Sequence, residues 1–230
     1  MTKNEFHSRS PIILAALPMT DSAALHPPMR RRFVLASASP RRLDLLARIG
    51  LVPDKVDAAD IDETPHRREL PRAYAARIAA AKALAGAARH PGAFVLAADT
   101  VVACGRRILP KAETEAEARS CLNLLSGRRH RVIGGVCLIA PDGGQGHRIV
   151  ETRVGFKRLT PEEVTGYLAS GEWRGKAGGY AIQGLAAAFV PFLSGSHSNV
   201  VGLPLAETYA MLLGQGFRIM IGADGGVDGG

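Results

Sequence analysis

Apolar positions along the chain fall into short blocks that switch between two periods. Phe33-Val34-Leu35-Ala36 is a compact apolar run and predicts a buried strand. Leu43, Leu45, Leu46 and Ile49 then recur at helical spacing and predict a helix opening at Pro40 and stopping at Gly50. Ser39 stands where an N-cap belongs, and Pro40 suits the first helical position. An extended, then acidic stretch, LVPDKVDAADIDETP, leads into an alanine-rich helix from Glu69 to about His90. GAFVLAADTVVACGRRILPK predicts a buried strand ending at Asp99, followed by a turn and a short return. Thr114 and Glu117 have capping-box spacing at the head of a helix that Gly127 closes. Alternation on both sides of Pro141-Asp142-Gly143-Gly144 predicts a long hairpin. A further helix opens at Thr160-Pro161-Glu162-Glu163 and ends at Gly171. After it come a loop, a strand around AAFVPFL and a last helix from about Leu205 to Leu213. Interleaved strands and helices with one prominent hairpin predict an α/β fold with a mixed sheet, and no internal repeat is visible.

Length and composition narrow this picture. The 230 residues suffice for one domain, compact or two-lobed, which the pattern puts at residues 31–219. Residues 1–30 read as a poorly ordered extension, and the glycine-rich residues 220–230 as a flexible tail. PIILAALP, near the start, is too short and interrupted for a signal-peptide core, and no apolar run reaches the roughly 18–20 residues that span a membrane. Cys104, Cys121 and Cys137 are odd in number and widely spaced, which suggests neither a zinc site nor a disulfide framework and fits a reducing cytosol. The net charge of +8 implies acidic partners, either nucleic acid or a small polyanion. Aromatic residues make up only 5%, which counts against a base-stacking platform.

Chemistry concentrates at a few positions. Arg41 and Arg42 fall in the first turn of the predicted helix, where cations are unfavourable by roughly 0.3–1 kcal/mol each. A strand, a small-residue turn, a helix N-terminus and two guanidiniums together describe a place to hold phosphate, unless both side chains simply bend into water. Asp99, at the carboxyl end of a buried strand, stands where open α/β sheets put ligand-handling groups, or it caps a turn. Glu63, with Asp60 and Asp62 close by, offers hard oxygen ligands for Mg²⁺ or Mn²⁺, or forms a hydrated acidic loop. Lys82 continues the row of Tyr74 and Ile78, so it either snorkels outward or carries its ammonium into a cleft. Lys111, and Lys176 between glycines in RGKAGG, are lysines in flexible surroundings, and the amide of Gln183 could read a base edge or cap a turn. SGSHSN reads as a polar loop. No P-loop, GxGxxG, GxSxG or HExxH motif is present.

Seven stretches in order, LASASPRRLDLL, DIDET, AAK, AADTVV, LLSGRRHRV, SGEWRGKAGGYAIQG and GSHSNVVGLPL, resemble the Maf family of nucleotide pyrophosphatases from about residue 33 to 217. The resemblance implies a cytoplasmic enzyme, dependent on a divalent metal cation (Mg²⁺ or Mn²⁺), that cuts nucleoside triphosphates to monophosphate and pyrophosphate. It also implies an elongated mixed α/β sheet flanked by helices, in two lobes around a central cleft, similar to inosine triphosphate pyrophosphatases. Carried over by motif, Asp99 is the proton acceptor, and Arg41, Thr100 and Gln183 bear on base selection. Ser37, Arg42, Glu63, Lys82 and Lys176 complete the phosphate and metal cleft, with Glu63 and Asp99 as the metal carboxylates. The SPRR and YAIQG forms resemble the subgroup acting on dTTP and UTP rather than the one acting on 7-methylguanosine triphosphate. Pro110-Lys111-Ala112 departs from the usual Gly-Lys-Pro. A homodimer follows from the resemblance, whereas stable nucleic-acid binding and a membrane partner do not. A nucleic-acid-binding role or a regulatory role in cell division is the alternative from another class.

Overall fold

The computed structural model describes residues 31–219; the expectations for residues 1–30 and 220–230 lie outside the described residues. Strands β1 (Phe33–Leu35), β2 (Lys55–Val56), β3 (Phe94–Cys104), β6 (Arg129–Ile139), β7 (Gln145–Gly155) and β9 (Phe192–Ser194) form one mixed sheet in the order β2-β1-β3-β6-β7-β9. β1 runs parallel to β2 and β3, while β6, β7 and β9 are antiparallel to their neighbours. β4 (Arg107–Leu109) folds back onto the end of β3, and β5 (Lys111–Ala112) pairs with β8 (Lys176–Ala177) in a separate two-stranded sheet. The helices are α1 (Pro40–Ala47), α2 (Pro71–Arg89), α3 (Glu115–Leu125), α4 (Pro161–Ser170), α5 (His197–Val201) and α6 (Leu205–Gly214).

Helix α2 covers one face of the large sheet, where Ala75, Ile78, Ala79 and Ala83 meet Val95, Ala97, Val101 and Ile133. Leu35, Leu96 and Leu138 point to the other face and join Leu122 and Leu125 of α3, Leu168 of α4 and Leu212 of α6 in the larger core. The alternation of odd and even residues along β3 between these two cores is the strand period made visible. Small residues bring α2 unusually close. A Cβ on Gly135 of β6 would lie 2.2 Å from the Ala75 carbonyl oxygen, and one on Gly86 would lie 2.9 Å from Val95 Cγ1.

The sheet has a gap, and the gap is what matters for chemistry. On the edge of β3 away from β6, β1 pairs with Phe94–Leu96 and β4 with Val102–Cys104. Residues 97–101 of β3 therefore have no strand beside them on that edge among the described residues. Asp99 and Thr100 stand in this opening.

Local sequence logic accounts for most elements. Thr114 with Glu117 and Thr160 with Glu163 form reciprocal capping boxes, and Gly171 closes α4 in the left-handed conformation. Four expectations change. β3 does not end at Asp99 but continues to Cys104, because Thr100–Ala103 keep a strand pattern and pair with Arg131–Gly134 of β6. Ser39 occupies the N-cap position but its side chain makes no capping bond; its amide donates instead to Ser37 Oγ at 3.3 Å. AAFVPFL splits into a 3-10 turn, Leu185–Phe189, and the short β9, since three alanines supply little β-branched bulk and Pro191 interrupts the run. SGSHSN is half helix: Ser196 caps α5 by accepting the Asn199 N–H.

Candidate active site

The gap in the sheet opens into a cavity of about 410 Å³ lined by the β1–α1 turn, Glu63, Lys82, the Asp99–Thr100 edge, Lys111 and the segment from Arg174 to Gln183. Ser37, Arg41, Arg42, Glu63, Lys82, Asp99, Thr100, Lys176 and Gln183 all line it, so the structure brings every sequence-derived site residue to one hollow. Among the described residues, six cations (Arg41, Arg42, Lys82, Lys111, Arg174, Lys176) face two carboxylates (Glu63, Asp99) there.

Asp99 is 3% exposed and Lys82 7%. The Lys82 ammonium donates to Asp99 Oδ1 at 2.9 Å and pairs with Glu63 Oε1 at 2.8 Å, so it reaches inward rather than snorkelling. The glycine- and alanine-faced approach of α2 to the sheet is what lets a helix lysine meet a mid-strand aspartate. Lys111 closes the chain of charges by donating to Glu63 Oε2 at 2.8 Å. Burial pushes the Glu63 carboxyl up, but the Lys111 and Lys82 hydrogen bonds outweigh it, so the group stays below the usual carboxylate range.

The two arginines of the first helical turn behave differently. Arg42 is 8% exposed, and its guanidinium donates to Gly202 O at 2.9 Å, Ser37 Oγ at 2.7 Å and Thr100 Oγ1 at 3.3 Å. Thr100 in turn donates to Gly202 O at 3.3 Å. Burial pulls the Arg42 pKa down, and the Asp99 charge partly restores it. Arg41 is only partly buried; its Nε donates to Val201 O at 3.1 Å, and the rest of its fork faces the cavity. The answer to two cations at a helix N-terminus is thus partly internal: carbonyls at the end of α5 absorb one edge of each fork. Asn199 holds that end in place. It is fully buried, and its Nδ2 donates to Val132 O, Val150 O and Thr152 Oγ1 at 3.2, 3.3 and 3.1 Å.

Across the hollow, the Lys176 ammonium donates to Arg174 O at 2.9 Å, and burial followed by the Arg41 charge lowers its pKa. Gln183 is exposed on the rim. The chain before it is pinned from below: Ala181 N donates to the Tyr167 hydroxyl at 3.0 Å, and the Tyr180 hydroxyl lies 2.8 Å from His130 Nε2. Burial holds His130 neutral, with a pKa near 4. The linkage sign follows directly. A histidine whose folded pKa lies below its unfolded value contributes stability that is complete above about pH 6.5 and lost as pH falls towards 4. His130→Gln is expected to remove about 3 kcal/mol of the stability change between pH 7 and pH 4, read from urea unfolding at both pH values.

Sequence reasoning left Lys111 outside its site set and passed over Arg174 and Tyr74. Lys111 stands in the short β5 opposite Ala177, which brings it within reach of Glu63 despite the departure from Gly-Lys-Pro. Its signal was a lysine one turn of chain beyond a β3–β4 hairpin; the contact spans 48 residues, and no local pattern reports it. As for a metal, no group of three or more carboxylate, histidine or cysteine ligands occurs among the described residues. Glu63 and Asp99, two hard carboxylates on one ammonium, do fit an ion such as Mg²⁺ that takes one or two protein carboxylates and completes its shell with substrate phosphates and water.

Several known proteins are similar to this chain. It is 69% identical over 184 residues to a dTTP/UTP pyrophosphatase of Paramagnetospirillum magneticum, covering 80% of this chain and 97% of the relative. A dTTP/UTP pyrophosphatase of Rhodospirillum rubrum is 68% identical, over 80% of this chain and 88% of the relative, and one of Caulobacter vibrioides is 66% identical, over 80% and 96%. Among solved structures, a dITP/XTP pyrophosphatase from Mycobacterium abscessus is 17% identical, with a TM-score of 0.37 over 56% of this chain and 74% of that one. The family model described as Maf-like protein matches residues 32–215, and this chain belongs to that family.

Proposed function

We propose that the chain is a nucleoside triphosphate pyrophosphatase that hydrolyses dTTP and UTP to the monophosphate and pyrophosphate. The observation that carries this reading is the cavity in which four more cations than carboxylates surround a buried aspartate. A triphosphate brings about four negative charges, and hydrolysis at phosphorus is mostly positioning and charge stabilisation. Relatives 66–69% identical carry the name dTTP/UTP pyrophosphatase, which supports the choice of nucleotide.

In this reading Asp99 accepts the proton of the water that attacks the α-phosphorus. Lys82 engages Oδ1 and fixes the carboxylate, so Oδ2 is the atom assigned to that water. Glu63 and Asp99 hold a divalent cation together with the substrate phosphates; when bound, it neutralises developing charge on the phosphoryl oxygens. Arg41, Lys176 and Lys111 bind phosphate oxygens with donors still open to the cavity. Arg42 and Ser37 keep the β1–α1 turn in shape and add positive potential from behind. Thr100 and Gln183 face the base: the amide of Gln183 both donates and accepts, which complements the keto and imide edge that thymine and uracil share. A cytoplasmic location and a homodimer complete the reading. No helix among the described residues is long and apolar enough to cross a membrane.

The test is a pyrophosphate-release assay across the common nucleoside triphosphates and 7-methylguanosine triphosphate. Expected is a kcat/KM for dTTP and UTP at least ~10-fold above that for any purine nucleotide, since a site that hydrogen-bonds one base edge leaves its polar groups unpaired against another. A purine preference, or release of orthophosphate alone, would overturn the assignment.

A further inference from the structure

Residues 57–70 cross from the sheet to α2 without helix or strand and carry Glu63. Loops of this length in a compact domain are held by specific contacts or serve function, and this one does both. Lys111 reaches it from β5, and the grip on its main chain around Glu63 comes from one helix, α2. The Tyr74 hydroxyl, on a side chain of a residue only 9% exposed, donates to the Glu63 carbonyl oxygen at 2.8 Å. One turn on, the Arg77 guanidinium donates to Thr64 O at 3.1 Å and grips both Glu69 carboxylate oxygens at 2.8 and 2.7 Å. Glu69 in turn accepts the His66 N–H at 2.9 Å. The Arg77 guanidinium stacks over the Tyr74 ring with its carbon 5.5 Å from the centroid, which ties the two grips together.

We infer that Tyr74 is a positioning residue for Glu63: its hydroxyl fixes the Glu63 backbone on α2, so that the same helix supplies both the anchor for the main chain and, through Lys82, the partner for the carboxylate. This inference rests on the proposed function. Without the Tyr74 bond the Glu63 carbonyl loses its protein partner and the segment pivots about the Arg77 grip, which carries the carboxylate away from Lys82 and Asp99. Burial, with the charges of Asp99 and Glu63, pushes the Tyr74 hydroxyl up to about 12, so it keeps its proton and its donor role throughout the neutral range. The ring itself packs with Ala75, Ile78 and Ile133, contacts that a phenylalanine preserves.

Tyr74→Phe in the full chain tests this. Expected are a kcat for dTTP or UTP lowered ~10-fold, a KM within about twofold and a thermal midpoint within about 3 °C of the parent, since sub-ångström misplacement acts on the chemical step. Amide hydrogen exchange in residues 60–66 should quicken, and this readout needs no turnover. In a Glu63→Gln background the second substitution should add little, because both changes act through one carboxylate. Unchanged kcat, unchanged exchange, or two losses that simply multiply would overturn the inference. So would a fall in activity that follows a fall in thermal midpoint. If the parent releases no pyrophosphate from dTTP or UTP, the functional reading fails by itself and exchange alone decides whether Tyr74 fastens the segment.

Discussion

Asp99→Asn is expected to lower the rate of pyrophosphate release ~10³-fold while leaving nucleotide affinity within about threefold. The substitution is close to isosteric, so Asn can still accept the Lys82 hydrogen bond now made at 2.9 Å to Oδ1. What disappears is the negative charge and the ability to take a proton from water. Measured without divalent cation, binding should hold or tighten, because a carboxylate is removed from a cavity where cations already outnumber acids. The fold should survive: Asp99 sits mid-strand, its main chain paired with Gly135 of β6, and that pairing involves no side chain. Single-turnover pyrophosphate release and calorimetric binding of dTTP separate the two effects. Turnover within tenfold of the parent would remove Asp99 from the role of base and leave Glu63 as the remaining carboxylate in the hollow.

Which parts of this site the chain announced, and which it concealed, follows from the range of the interactions. The capping box at Thr114 and the helix limits at Thr160 and Gly171 were visible because each is settled within four residues. The long hairpin was visible because strict alternation flanks one turn. Asp99 was recognisable as a buried-strand carboxylate, but its place in the middle of β3 was not. The strand is continuous, and what makes Asp99 accessible is a lateral gap between β1 and β4, a fact about neighbours rather than about β3 itself. Lys82 left two readings open for the same reason: its direction depends on how closely α2 can lie on the sheet. That closeness is decided by Gly135, 53 residues beyond Lys82 in a strand where glycine looks merely unfavourable. Arg42 was expected as a phosphate ligand and proved mostly engaged by Gly202, Ser37 and Thr100. The acceptors at the end of α5 lie 160 residues further along the chain, just past the SGSHSN stretch that reads as a polar loop. Family motifs reported these residues together because they carry the outcome of packing, which periodicity does not.

Lys82→Met is expected to cost ~10²–10³-fold in kcat and, unlike Asp99→Asn, to cost stability as well. A methionine keeps the length and the apolar stem in the row with Ile78 but withdraws the one ammonium that both carboxylates share. Glu63 then keeps only Lys111 to hold its carboxyl low, while its burial, which opposes ionisation, is unchanged. Asp99, 3% exposed, is left as a buried charge without its ion-pair partner, a loss that typically costs about 3–5 kcal/mol. Glu63, no longer held low by Lys82, takes up a proton more readily and so relieves its repulsion with Asp99, which fixes the sign of the pH dependence: the variant should be most destabilised at alkaline pH and recover as pH falls. The acidic limb of its kcat profile should move upward, because the site works only with its carboxylates ionised. Lys82→Met/Asp99→Asn separates the two consequences. Removing both charges should restore most of the lost stability, as replacing a whole buried pair is far cheaper than breaking it, while activity stays as low as in Asp99→Asn alone. Urea unfolding at pH 6 and pH 9 and pH-rate profiles of the three variants make the comparison. If the double variant is as unstable as Lys82→Met, the ammonium stabilises the fold through Glu63 and not through Asp99. If the acidic limb stays where it is in the parent, the ion pair is no part of the chemistry.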